Sequence, residues 1–318
     1  MLAWACVSTG FAADPTISVE AKQRYPWNGL VDLKFTITGT SGTKYDTSFT
    51  AKDMVGGTNI TMATVCKSDG TAANVTKEQL LPGTYNWVWD AAADLPKDWK
   101  CDRVTVTGTA VVSRGKVQLW AGGPYWAKTN IGAENSYDYG YYFWWGDTVG
   151  YKRVNNKWVA SNGSSSNFSF ASGNAPTYSK DVSTLKSQGW IDSNSVLVPA
   201  HDAAHVHWGG EWRMPTKAEL VALVDNCTWT WSAKNGVNGY VVSGNGNYAS
   251  VSIFLPVAGY GYGTSLYGAG SHGYYWSSDP YSDYNYYAWY LNFGSSGHLM
   301  NYDYVRYYGL SVRPVQSP

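Results

Sequence analysis

The sequence predicts two domains: an all-β sandwich over residues 15–112, then an α+β domain over 116–315. Three observations carry this. Runs of β-branched and aromatic residues, broken by turn residues, fill the first hundred positions. Helix signals are confined to the second part. The texture also shifts at Ser113-Arg114-Gly115, beyond which aromatics become dense, as in Trp120, Trp126 and the run from Tyr141 to Trp145. A length of 318 residues fits two cores better than one.

Residues 1–13 (MLAWACVSTGFAA) resemble the end of a secretory signal: they are apolar and finish in small residues before Asp14, though the basic start is missing. A secreted or cell-surface protein is the expectation. The first domain follows as ISVEA, LVDLKFTIT, YDTSFTA, YNWVWDA and DRVTVTGTAVV. Turn signals at 39–42, Ser68-Asp69-Gly70 and Pro82-Gly83 separate them. An antiparallel, immunoglobulin-like sandwich fits this pattern, and its expected role is that of a spacer or docking module. In an exported chain Cys66 and Cys101 either form a disulfide or remain two unrelated thiols. Cys227 has no evident partner, and no cysteine follows it.

In the second domain, 152–179 is rich in Ser, Asn and Gly and predicts a long surface loop. A short helix is expected over 181–188. A firmer one opens at Thr216-Lys217-Ala218-Glu219, a capping box in which each side chain satisfies an orphan amide. Strands are expected over 252–257, 274–278, 287–293 and 310–315. Period-2 alternation over 288–293 predicts Trp289, Leu291 and Phe293 facing a core, with Tyr290 and Asn292 facing outward.

Composition excludes some functions. Lys+Arg and Asp+Glu both number 23, so the formal charge is zero and no basic face for nucleic acid is indicated. After the N-terminus no apolar run is long enough for a membrane-spanning helix. With only 14% charged residues, the surface must be covered by hydroxyls, amides and Tyr. More than half of the 26 tyrosines fall between Tyr260 and Tyr308, in a stretch lacking Lys, Glu, Gln, Ile and Cys. Tyr offers a large amphipathic contact area with few torsions to freeze, and Ser, Gly and Asn offer adjustable hydrogen bonds. This is the chemistry of a binding surface rather than of a catalytic site.

Several ordered motifs carry a family resemblance. They are Trp126-Ala127-Lys128-Thr129-Asn130-Ile131-Gly132, Tyr142-Phe143-Trp144-Trp145-Gly146-Asp147, Trp212-Arg213-Met214-Pro215-Thr216 with Glu219, Trp276-Ser277-Ser278, and Gly309-Leu310-Ser311-Val312-Arg313-Pro314-Val315. Residues 116–315 thereby resemble the Fibrobacter-succinogenes-type major paralogous domain. The resemblance implies a C-type lectin-like fold of the formylglycine-generating-enzyme type. The tail also resembles the variable proteins of diversity-generating retroelements, in which template adenines are mutated. An Asn codon AAC then becomes Tyr, Ser, Asp, His or Gly but never Lys, Glu, Gln, Trp or Met. Positions consistent with such a codon, and expected to bind ligand, are Tyr262, Tyr267, His272, Tyr274, Tyr281, Asp283, Tyr284, Tyr286, Tyr287, Tyr290, His298, Tyr302, Asp303, Tyr304, Tyr307 and Tyr308. Trp276, Trp289, Leu291, Phe293, Met300, Arg306 and Gly309 would form the constant frame. The alternative is an ordinary, undiversified Tyr-rich surface that binds carbohydrate without metal. The expected partner is a protein or glycan on another cell or a phage.

Catalysis is not expected. The formylglycine-generating enzymes use two late cysteines that this chain lacks, which leaves no thiolate nucleophile. His201-Asp202-Ala203-Ala204-His205-Val206-His207 has a His pair at metal-binding spacing but no evident further ligand, and a structural cluster is the preferred reading. The Glu-Pro-Asn, Gln-Pro-Asp and Trp-Asn-Asp triplets of calcium-dependent lectins do not occur. No catalytic residue, metal or cofactor is therefore assigned from the sequence.

Overall fold

The computed structural model describes residues 15–67, 79–97, 99, 103–113, 115–164, 168–301 and 303–318. It is mostly β-strand with few helices. The chain divides into two compact units, Met1–Ser113 and Arg114–Pro318. The signal-like segment 1–13, the turn at Ser68-Asp69-Gly70, Cys101 and Tyr302 lie outside the described residues.

The first unit is built on two antiparallel sheets. One has the order β1 (Thr16–Gln23), β2 (Leu30–Thr38), β6 (Gly83–Asp90), β5 (Val65–Lys67); the other has β4 (Asn59–Thr61), β3 (Tyr45–Asp53), β7 (Val104–Val112). Alternation in β2 turns Leu33, Phe35 and Ile37 inward, where they share one core with Trp87 and Trp89 of β6 and Phe49 and Ala51 of β3. Phe35 meets Phe49 edge-on at 5.0 Å, which joins the two sheets. A single helical turn, α1 (Ala91–Asp94), is capped by Asp90, whose carboxylate accepts from the Ala93 amide.

The second unit closes on itself through its ends. Its first strands, β8 (Lys116–Gln118) and β9 (Tyr125–Ala127), pair with each other, and β9 pairs on its other side with the last strand, β20 (Val315–Gln316), in register Val315–Trp126. Segment 152–179 departs from the loop expectation. It begins as a hairpin of β10 (Tyr151–Val154) and β11 (Lys157–Ala160), turned by Asn155 and Asn156, both at positive φ. Asn tolerates that conformation, and paired positive-φ residues match the twist of a two-residue hairpin. Further on, Phe170 is fully buried against Trp158 and Trp144.

Three α-helices follow: α2 (Val182–Ser187), α3 (Ala203–Trp208) and α4 (Lys217–Asn226). Asp181 caps α2 by accepting from the Thr184 amide. At α4 the capping box forms as expected: Thr216 accepts from the Glu219 amide and Glu219 accepts from the Thr216 amide. Glu219 also takes a bidentate bond from Arg213 at 2.7 and 2.6 Å.

A second three-stranded sheet contains β12 (Thr228–Lys234), β13 (Val237–Ser243) and β14 (Ser252–Pro256). After the short hairpin β15 (Tyr260–Tyr262) and β16 (Ser265–Tyr267) comes the sheet β17 (His272–Pro280), β18 (Ala288–Gly294), β19 (Gly297–Asn301). This last sheet lies between two cores. Trp276, Ala288 and Tyr290 belong to one; Tyr275, Leu291 and Phe293 belong to the other. No helix among the described residues is long and apolar enough to cross a membrane.

Candidate functional site

Three segments of the second unit converge: the β15–β16 hairpin, residues 281–287 after β17, and residues 303–308. Backbone bonds hold them. Gly261 and Gly309 exchange amide–carbonyl bonds at 2.8 and 2.9 Å. Both glycines are packed on the Phe170 ring, whose atoms lie 2.5 and 2.3 Å from where a Cβ would stand. The 281–287 segment is closed by the Tyr281 amide donating to the Tyr287 carbonyl at 3.1 Å. Its path is fixed by Arg306, which is fully buried. The Arg306 amide donates to the Tyr286 carbonyl at 2.8 Å. Its guanidinium donates to the carbonyls of Tyr287 and Lys180 at 2.8 Å and of Thr177 at 3.2 Å, and lies 4.8 Å from the Trp145 ring centre. Burial pulls this guanidinium down to about 10, still charged at neutral pH.

On this frame the rings form an unbroken series of contacts. Tyr267 stacks on Tyr260 at 5.6 Å, and Tyr260 meets Tyr304 and Tyr308 at 5.0 and 5.3 Å. Tyr308 touches Tyr262 and Tyr307. Tyr307 meets Tyr178 at 5.0 Å, and Tyr178 meets Tyr286 at 5.3 Å. From Tyr286 the series passes through Tyr287, Tyr284 and Tyr281 to Trp289, and Trp289 is covered by the Lys217 ammonium at 3.3 Å from its ring centre. The most exposed rings are Tyr284 (56%), Tyr262 and Tyr267 (45% each) and Tyr286 (42%). Tyr281, Tyr287, Tyr304, Tyr307 and Tyr308 are half-buried beneath or beside them. Asp283 and Asp303 are exposed; Asp283 accepts from the Tyr281 and Ser282 hydroxyls at 3.1 and 2.9 Å.

Four expectations need correction. Tyr290 and Tyr274 are buried, at 1% and 7% exposure, and belong to the core rather than the contact surface. Trp289, expected inside, is half-buried under Lys217. The cause is that β18 is covered on both sides, and a Tyr ring enters a core once its hydroxyl has a partner. Tyr290 finds one in Asp303. His298 leaves the tyrosine series and stacks on Trp229 at 4.2 Å and 11°. His272 is exposed at the margin, 6.2 Å from Tyr274 between ring centres. Two contributors escaped the sequence reading. Tyr178 sits in the segment read as loop, and Tyr260 contacts four other tyrosines. The Tyr-Gly-Tyr alternation at 260–262 was the available signal for Tyr260.

The phenols act as neutral hydrogen-bonding groups. Burial, then the bond to Asp303 and its charge, raises Tyr290 far above the ordinary phenol value. Burial, then the bond with Tyr274, does the same to Tyr304. Burial pushes Tyr308 up to about 12.

The His-rich segment is occupied structurally. Asp202 caps α3, its carboxylate accepting from the amides of Ala204, His205 and Met214 at 2.8, 3.0 and 2.8 Å. His201 stacks on Trp190 at 3.8 Å, and His207 lies 2.8 Å from the Thr148 carbonyl through Nε2. Among the described residues no three His, Cys, Asp or Glu side chains gather to hold a metal ion. Cys227 is buried at the end of α4, and burial pushes its thiol up to about 11.

A family described as a domain of unknown function, DUF8237, matches residues 240–315. These run from within β13 to the start of β20, and so include the whole aromatic face except Tyr178 and Lys217. No curated protein and no solved structure matches the chain.

Proposed function

We propose that the second unit has a C-type lectin-like fold of the formylglycine-generating-enzyme type and is a non-catalytic ligand-binding domain. The aromatic face is its binding site, retroelement-diversified at its exposed positions. In this reading the first unit is an immunoglobulin-like sandwich that presents the domain on an exported protein, and the ligand is a protein or glycan on another cell or a phage. One observation carries the proposal above the rest. Exposed Tyr262, Tyr267, Tyr284 and Tyr286 stand on a contiguous ring layer whose backbone is anchored by Arg306, Gly261 and Gly309. Interface energy concentrates in such aromatic anchors. Against an oxidase of the formylglycine-generating type stand the lack of any cysteine after Cys227 and the protonated state of that thiol.

Metal-independent carbohydrate binding by an undiversified site is the second reading. It is favoured by the parallel Tyr281 and Tyr284 rings, 6.1 Å apart at 10°, which offer a flat face to a pyranose. Two experiments decide. Sequencing the coding DNA across one population tests diversification: changes confined to positions such as Tyr262, Tyr284 and Tyr286 support it, and an invariant tail sinks it. Screening the full chain against a glycan array and against intact cells and phage tests binding. Any ligand found must be lost in the quadruple variant Tyr262→Ala, Tyr267→Ala, Tyr284→Ala, Tyr286→Ala while thermal unfolding stays near that of the wild type.

A further inference from the structure

The sheet β12–β13–β14 buries one face, and the other is partly accessible: Lys234 and Ser252 are exposed, while Phe254 is buried at its floor. Tyr240, Val242, Ile253 and Leu255 pack into the core. By strand alternation Ser232, Lys234, Val241, Ser252 and Phe254 lie on the opposite face. There they line a groove of about 390 Å³, completed by Lys128 and Ser136. That volume is within the range of small-molecule sites.

The groove has one sign of charge. Lys128 and Lys234 are both exposed at its walls, and no carboxylate lines it. Neither ammonium has an ion pair or hydrogen bond among the described residues, and the same holds for the hydroxyls of Ser136, Ser232 and Ser252. Two acids stand two residues from Ser136, and neither lines the groove: Glu134 is exposed, and Asp138 is turned back onto the amides of Glu134 and Asn135 at 3.2 and 2.8 Å.

A third cation lies under the floor. Arg313 is 1% exposed, and its guanidinium donates to three neutral oxygens: Asn130 Oδ1 at 2.9 Å, the Ala127 carbonyl at 3.1 Å and the Phe254 carbonyl at 2.9 Å. Phe254 is in the groove and Ala127 precedes Lys128. Burial pulls Arg313 down to about 10, so it keeps its charge at neutral pH with no carboxylate among these partners. A buried cation without a counter-ion makes the surface above it positive.

We propose that this groove is an oxyanion site, taking the phosphate or sulfate group of a small ester between Lys128 and Lys234, with the serine hydroxyls as further donors. It is independent of the aromatic face: none of its residues belongs to the tyrosine series. Two flexible ammoniums, which only donate, and three hydroxyls, which can rotate to donate, face the anion's several acceptor oxygens, and the remaining volume accommodates the group that carries the ester. Affinity falls as salt rises, because the lysines are solvent-exposed and screened.

The test is calorimetric titration of the full chain at low ionic strength with inorganic phosphate, inorganic sulfate, a hexose 6-phosphate and the uncharged hexose. The expected result is binding of the anions and not of the hexose. Tighter binding of the hexose phosphate identifies an ester as the ligand; inorganic phosphate binding alone identifies the free anion. Either outcome supports the site. Lys128→Gln and Lys234→Gln should each weaken binding by about tenfold, as for hydrogen bonds to charged groups, and the Arg replacements should retain it. Failure of every anion to bind, equal binding of the uncharged hexose, or unchanged affinity in the double Gln variant overturns the proposal.

Discussion

Tyr290 donates its phenol hydroxyl to the carboxylate of Asp303, from a ring that is only 1% exposed. The bond ties a core strand to the segment that carries Tyr304, Tyr307 and Tyr308. It makes Tyr290 part of the support, and it sets the first prediction. Tyr290→Ala should cost about 3–5 kcal/mol, as for other large buried rings. Tyr290→Phe should cost about 1.5–3 kcal/mol, the range for a single hydrogen bond to a charged group. Trp289→Ala should cost less than Tyr290→Ala. Urea unfolding of the three variants checks the order; if Trp289→Ala is the most damaging, the assignment of the two faces of β18 is wrong.

Phe170 and the glycines beneath the β15–β16 hairpin should show strong coupling. Gly309→Ala places a Cβ 2.3 Å from the Phe170 ring and should destabilise by about 1–3 kcal/mol through overpacking. Combined with Phe170→Leu, much of that cost should vanish. A double-mutant cycle reads the interaction directly, and strict additivity would show that Phe170 does not clamp this site.

The Arg213–Glu219 pair predicts a pH dependence with a definite sign. Burial alone would raise Glu219, but the Arg213 bonds and the Thr216 bonds outweigh it, leaving the carboxyl below its ordinary 4.5. A folded-state value lower than the unfolded one stabilises above the unfolded value, and that stability is lost as pH falls through the folded one. Glu219→Gln should therefore be less stable than wild type at pH 7, with the gap narrowing below about pH 4.5. Thermal denaturation of both proteins between pH 7 and pH 3 checks this; a gap that widens in acid contradicts it.

Cys227 should be inert. With the thiol raised to about 11 by burial, almost no thiolate exists near pH 8. In the folded protein its alkylation by iodoacetamide should be far slower than in urea, as followed by mass spectrometry of the peptide containing it. Rapid labelling of the native chain would reopen thiol chemistry at this position.

Much of the scaffold was legible because one local rule governed each piece. LVDLKFTIT places Leu33, Phe35 and Ile37 on one face of β2, and Thr216 with Glu219 announces α4. Reading failed where a residue obeys two rules at once. Tyr290 and Tyr274 look like surface residues by composition, yet a phenol with a partner for its hydroxyl is at home in a core. The hairpin at 151–160 is hidden by its polar residues, because Asn155-Asn156 has the composition of a loop and only its positive φ values mark it as the pair that reverses two strands. The convergence of Tyr178 with Tyr286 and Tyr307 depends on contacts more than a hundred residues apart, which no periodicity contains.

Arg306 grips the 281–287 segment by the peptide oxygens of Tyr286 and Tyr287 and by nothing that varies with side-chain identity. Every one of the twenty amino acids supplies that same oxygen. That grip therefore survives any replacement of the side chains at these two positions, whatever becomes of the ring contacts and the Asp283 bonds beside it.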